Sequence, residues 1–112
     1  MTSVRFVKSK SVGYSSFESS GHSGYAEEGR DIVCAAVSSA TELVIGILEK
    51  FSVKFKLDIR EDTAIVICKI SECDGNVAKA EAISNIVGGF ADYINEVASV
   101  YPEYLKCLIT EK

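Results

Sequence analysis

Apolar and polar positions alternate from the start of the chain. Val4 and Phe6 share one side of residues 3–8, and Val12 and Tyr14 do the same in residues 12–20. That period of two predicts a pair of strands joined by a turn near Ser9-Lys10. The pairs Ser15-Ser16 and Ser19-Ser20 weaken the second strand and leave its end open. The period then lengthens. Val33, Ala36, Val37, Ala40, Leu43, Val44, Ile47, Leu48 and Phe51 recur every three or four residues. This predicts a helix with one apolar stripe, capped by Asp31, with Ser38, Ser39, Thr41, Glu42 and Glu49 off the stripe. Alternation returns at Val53, Phe55, Leu57 and Ile59, set against Lys54, Lys56, Asp58 and Arg60. A strand with one wet face is expected there, then a turn at Glu61-Asp62. Residues 63–70 are nearly all apolar and predict a central, covered strand. A loop over 71–76 has turn chemistry at Asp74-Gly75. Ala80, Ile83, Val87, Phe90, Ile94 and Val97 mark the inward stripe of a second helix over 77–100. Gly88-Gly89 interrupts it at about 1 kcal/mol per glycine relative to alanine, which suggests close packing or a kink. Tyr101-Pro102 ends it, and residues 104–110 give a last strand with Leu105, Cys107 and Ile109 on one face.

The element order β-β-α-β-β-α-β, rich in hairpins, predicts an α+β fold: a largely antiparallel sheet with both helices packed on one face. The other sheet face is expected to be partly apolar and able to pair two chains. At 112 residues the chain is read as one domain, 1–112, large enough to bury a core without staples.

Composition narrows the partners. The formal net charge is −4, so nothing favours a phosphate backbone, and Arg5, Lys8 and Lys10 read as a wet strand face. Nucleic acid is not an expected partner. No apolar run approaches a membrane span, and the N-terminus lacks the apolar core of a signal peptide, so a cytoplasmic protein without a membrane partner is expected. Cys34, Cys68, Cys73 and Cys107 are then expected as thiols rather than as two disulfides. Cys68 and Cys73 lack zinc-site spacing, and with a single histidine few further ligands remain, so no metal is expected.

Candidate chemistry gathers between residues 21 and 38. His22, the only histidine, and Cys34 are twelve residues apart, across a segment that holds Gly24 and Gly29. With Asp31 as N-cap, Cys34 is the third helical residue, beside backbone N–H groups and the positive end of the helix dipole. Both favour thiolate, the nucleophilic form. The same N–H groups could hold a tetrahedral oxyanion. Cys34 as nucleophile and His22 as base then acid would make an acyl-transfer site. Each residue also has a plain structural reading: Cys34 as core filling, His22 as a surface residue, Asp31 as a cap alone. Gly24 and Gly29 have a plain reading too, as residues that permit positive φ. Ser38, one turn beyond Cys34, orients a site group or merely bonds back to a carbonyl.

The stretch resembles the signature of the ribosomal-processing cysteine protease (Prp) family: G-H-x-x, a variable glycine-containing loop, then G-x-D-x-V-C-A-x-x-S. Gly21, His22, Gly29, Asp31, Val33, Cys34, Ala35 and Ser38 fill its positions. The resemblance implies a cytoplasmic bacterial endopeptidase with a Cys/His dyad and no cofactor. Its substrate would be a large-subunit ribosomal protein, which loses a short N-terminal extension by cleavage after aromatic residues. Carried over by position, Cys34 is the nucleophile, His22 its base, and Asp31 and Ser38 support them. The family also implies a homodimer and a loop, here with Gly21, Gly24 and Gly29 as its flexible residues, that is mobile until substrate binds. The rival from another class is a non-catalytic binding module that docks on the ribosome. A thiol redox protein is a weaker reading, because Cys34 lacks a C-x-x-C partner.

Overall fold

The computed structural model describes residues 1–9, 13–21, 31–71 and 75–112. Its order is β1 (Thr2–Ser9), β2 (Gly13–Ser20), α1 (Ile32–Lys50), β3 (Phe55–Arg60), β4 (Ile65–Ile70), α2 (Val77–Val100) and β5 (Leu105–Glu111). This is the α+β order expected. The five strands form one sheet, β3-β4-β2-β1-β5, antiparallel except where β5 lies parallel to β1 at the edge. Residues 10–12, 22–30 and 72–74, with the first turn, Val12, most of the loop before α1 and Cys73, lie outside the described residues.

The register explains which face is covered. Phe6 stands opposite Phe17, Phe17 opposite Cys68, and Thr2 opposite Leu105. These residues, with Val4, are the buried side chains of the sheet. Paired residues point to the same side, so one face carries the core. There α2 lies across β2 and β5, and α1 packs beside α2. Phe90 of α2 meets Phe6 and Phe17 edge-on, each at 5.2 Å between ring centres. Edge-to-face packing of this kind contributes beyond area burial alone.

Tyr14 joins that cluster through an irregularity. Val7 pairs with Ser16 and Lys8 with Tyr14, so Ser15 is an extra residue, its hydroxyl donating to the Val7 carbonyl at 3.3 Å. Simple alternation would place Tyr14 opposite to Phe17. The bulge turns it back, edge-on to Phe6 at 6.1 Å and under the Lys8 ammonium. Helix α2 runs unbroken through Gly88-Gly89. A Cβ on Gly88 would stand 3.5 Å from the Tyr14 ring, whereas Gly89 faces open space. The glycine pair therefore marks an approach of β2, not a kink.

Helix α1 departs from its expected stripe. Val33, Val37, Val44 and Leu48 are buried, but Leu43 and Phe51 are 65% and 52% exposed, and Thr41 is buried instead. The Thr41 hydroxyl donates to the Val37 carbonyl at 2.7 Å, which satisfies it inside the core. The helix ends where Ser52 takes a φ of 56°. Ser52 donates to the Glu49 carbonyl and Val53 to that of Leu48, a Schellman arrangement with the C3 and C″ side chains, Leu48 and Val53, both buried. Val53 thus closes a helix rather than starting β3. At 19 residues and mean hydropathy 1.8, α1 is, against expectation, long and apolar enough to cross a membrane by length and composition. Core packing uses the inner part of that apolarity.

Strand β3 is an edge strand. Leu57 and Ile59, on the helix side by register, are 41% and 57% exposed, because the helices cover the sheet's other end. Strand β4 is internal, yet only Cys68 in it is fully buried. The outer face interleaves half-buried Val7, Ile65, Ile67 and Leu108 with Arg5, Lys69 and Lys106.

Burial pushes the Cys68 thiol up from 9.0 to about 11. The folded value is the raised one, so this contribution is complete below about pH 9 and is lost as the pH climbs through about 11. Burial raises Cys107 and Tyr14 in the same direction. Chemical denaturation should therefore show stability falling between those limits, by about 2 to 3 kcal/mol for Cys68 alone. Cys68→Ala should start lower but decline less steeply.

Candidate active site

The site lies where α1 begins, against one end of the sheet. Asp31 has extended backbone and is 7% exposed. Its Oδ1 accepts from the amides of both Val33 and Cys34, each at 3.0 Å. The Ala35 amide donates to the Asp31 carbonyl at 3.0 Å. A short acceptor side chain at this position supplies what the first helical turn lacks. Cys34 is therefore the third residue of α1, as the cap predicts, and it is only partly buried.

The cap also corrects an expectation. The amides of Val33, Cys34 and Ala35 are all engaged with Asp31, so in this conformation they do not stand ready for an oxyanion. A carboxylate that occupies those donors competes with any incoming anion for the same place.

Thr2 of β1 and Gly21, just past β2, complete the described part of the site. Thr2, 3% exposed, places its hydroxyl 3.9 Å from the Cys34 sulfur and donates to the Gly21 carbonyl at 3.3 Å. Gly21 has a φ of 82°, and its amide donates to the Ala64 carbonyl at 3.1 Å. A Cβ there would come within 2.6 Å of the Met1 carbonyl oxygen. Backbone conformation and close approach both demand glycine. Gly21 is thus fixed by the start of β1 and the turn before β4, immediately ahead of His22.

Ser38 lies one turn along α1 and is exposed. His22, Gly24 and Gly29 lie outside the described residues. The structure therefore brings together Asp31, Cys34 and Gly21. Sequence reasoning missed Thr2. The one signal for it was a polar residue in phase with Val4 and Phe6 on the inward side of β1. Cys68 and Cys107 occupy inner strand positions, opposite Phe17 and Val4. The first is buried opposite Phe17, and the second sets its sulfur 4.0 Å from the Ala91 carbonyl. Burial raises both thiols, which keeps them protonated and unreactive at neutral pH.

The family model described as "Cysteine protease Prp" matches residues 1–106. Among solved structures, the chain is similar to the essential ribosomal processing protease Prp from S. aureus in complex with a covalently linked product peptide. That match has a TM-score of 0.85 at 14% identity, covering 98% of this chain and 100% of that one. It is also similar to SMU.848 from Streptococcus mutans, with a TM-score of 0.80 at 27% identity, covering 100% of this chain and 96% of that one. A hypothetical protein from Staphylococcus aureus aligns with a TM-score of 0.70 at 9% identity, each chain covered in full. No curated protein sequence matches the chain.

Removing the cap separates its structural part from any other. Asp31→Ala should lower unfolding stability by about 1 kcal/mol, and Asp31→Asn should retain most of it, since Asn caps about as well. Urea denaturation of the two variants measures the difference.

Proposed function

The chain belongs to the cysteine protease Prp family, and on that premise we propose that it is a cytoplasmic cysteine endopeptidase that trims the N-terminal extension of a large-subunit ribosomal protein. The observation that carries the reading is Cys34, partly buried, on the first turn of a capped helix, with its sulfur 3.9 Å from the Thr2 hydroxyl that holds Gly21 at the end of β2. A protein of the same fold, the S. aureus Prp, is described as a ribosomal processing protease and is held there to a product peptide through a covalent link.

In the proposed reaction His22 takes the Cys34 proton, and the thiolate attacks the carbonyl carbon of the scissile bond. The tetrahedral intermediate collapses as the imidazolium protonates the leaving amine, and the C–N bond breaks. The new N-terminus of the trimmed protein departs, leaving an acyl-enzyme thioester. Water, deprotonated by His22, then attacks the thioester; the C–S bond breaks and Cys34 recovers its proton. Asp31 sets the position of Cys34 on the helix, and Ser38 supports from the next turn. Because the first amides of α1 are held by Asp31, oxyanion donors come from a neighbouring segment or from a cap that yields on substrate binding.

The chain also works as a homodimer in this reading. The support is the outer face of α1, where exposed Ile32, Ala35, Ser39, Leu43 and Gly46 form an uncharged stripe. Ile32 and Leu43 are 50% and 65% exposed. The acidic net charge of −4 suits a basic ribosomal protein as substrate and disfavours a nucleic-acid partner.

Incubation of an extended ribosomal protein with the wild type, followed by mass spectrometry, should show loss of the extension. Cys34→Ala should abolish it, whereas a binding module would tolerate that change; turnover by Cys34→Ala sinks the protease reading. Light scattering should find a dimer that Leu43→Glu converts to a monomer, and a dimer unchanged by that charge removes α1 as the interface.

A further inference from the structure

We propose that Thr2 is a positioning residue for the nucleophile: its buried hydroxyl bridges the Cys34 sulfur to the backbone carbonyl of Gly21, the residue ahead of His22. The inference deepens the protease reading and rests on it for its meaning, but not for its test.

The hydroxyl is 3.3 Å from the Gly21 carbonyl oxygen and 3.9 Å from the sulfur. Thr2 is 3% exposed. A buried hydroxyl with polar neighbours is held to them, because water offers no alternative. Three backbone contacts make the position firm. The Thr2 amide donates to the Tyr104 carbonyl at 2.9 Å, Thr2 pairs with Leu105 of β5, and Gly21 is pinned by Ala64. The inward side of β1 is otherwise apolar at Val4 and Phe6. A threonine there, where valine would fill the same volume, adds only the hydroxyl.

A hydroxyl has one hydrogen and two lone pairs. While Cys34 carries its proton and the Thr2 hydrogen goes to the Gly21 carbonyl, Thr2 Oγ1 is left as an acceptor that S–H can use. Once the sulfur is ionised it has no proton to donate. The Thr2 hydrogen then turns to the thiolate, a charge-assisted bond stronger than the one it leaves. The Gly21 carbonyl loses this donor at that moment, while the Gly21 amide stays bonded to the Ala64 carbonyl. One hydrogen thus ties the protonation of the nucleophile to the segment bearing its base.

The test measures alkylation of each cysteine by iodoacetamide at pH 7, by mass spectrometry, in wild type, Thr2→Val, Thr2→Ala and Thr2→Ser. Thr2→Val keeps shape and removes the hydroxyl, so Cys34 should react about three- to tenfold more slowly, as expected for loss of a donor to a charged group partly offset by greater intrinsic nucleophilicity. Thr2→Ser should restore the wild-type rate. Cys68 and Cys107 are internal controls: a merely loosened fold would speed their reaction, whereas loss of this hydroxyl leaves them unchanged. If Thr2→Val does not fold, Thr2→Ala decides on the same readout. A wild-type Cys34 rate without the hydroxyl, failure of Thr2→Ser to restore it, or parallel acceleration at Cys68 overturns the proposal. Because alkylation needs no substrate, these outcomes stand apart from turnover by Cys34→Ala, which bears on the protease reading alone.

Discussion

One carboxylate oxygen sets the geometry of the candidate site. Asp31 Oδ1 accepts two amides at the head of α1. A helix without such an acceptor leaves its first amides unsatisfied and frays. Here the start is fixed, so Cys34 occupies a defined position on the first turn. The same bonds occupy the amides that would otherwise serve an anion. Asp31 therefore both presents the sulfur and restricts what its helix can offer beside it. A resting protein with those amides satisfied is stable; catalysis on the proposed route needs donors from elsewhere or a displaced cap.

The scaffold beneath depends on a few rings. Phe90 stands edge-on to both Phe6 and Phe17, so a single side chain of α2 locks onto the β1–β2 pair. The bulge at Ser15 adds Tyr14 to the same face, and Gly88 leaves room for it. This junction aligns the strands whose ends form the site. Thr2 at the start of β1 and Gly21 after the end of β2 meet because the hairpin register places them together. Burial within the sheet has a different consequence: it raises Cys68 and Cys107 and leaves Cys34 as the described cysteine at the head of α1.

The elements were legible because each carries its own period. Alternation marked β1, β3 and β5, the three-to-four repeat marked α1 and α2, and Asp31 marked the head of α1. The motif from Gly21 to Ser38 was equally legible, since its residues are close in sequence and each type has a distinct chemistry. What failed was burial. The periodicity predicts Leu43, Phe51, Leu57 and Ile59 as inward, and they are exposed; it predicts Thr41 off the stripe, and it is buried. A hydrophobic period says which side an element can bury, not how far its neighbours extend over it.

Local pattern alone determined the element order and the cap, and it put one thiol and one histidine in the same short stretch of chain. Tertiary structure decided the strand order β3-β4-β2-β1-β5, the edge exposure of β3, the return of Tyr14 to the core face, and the meeting of Thr2 with Cys34. The reason is physical. Capping and periodicity act over a few bonds along the chain, whereas register and coverage arise between residues tens of positions apart, and no single segment records them.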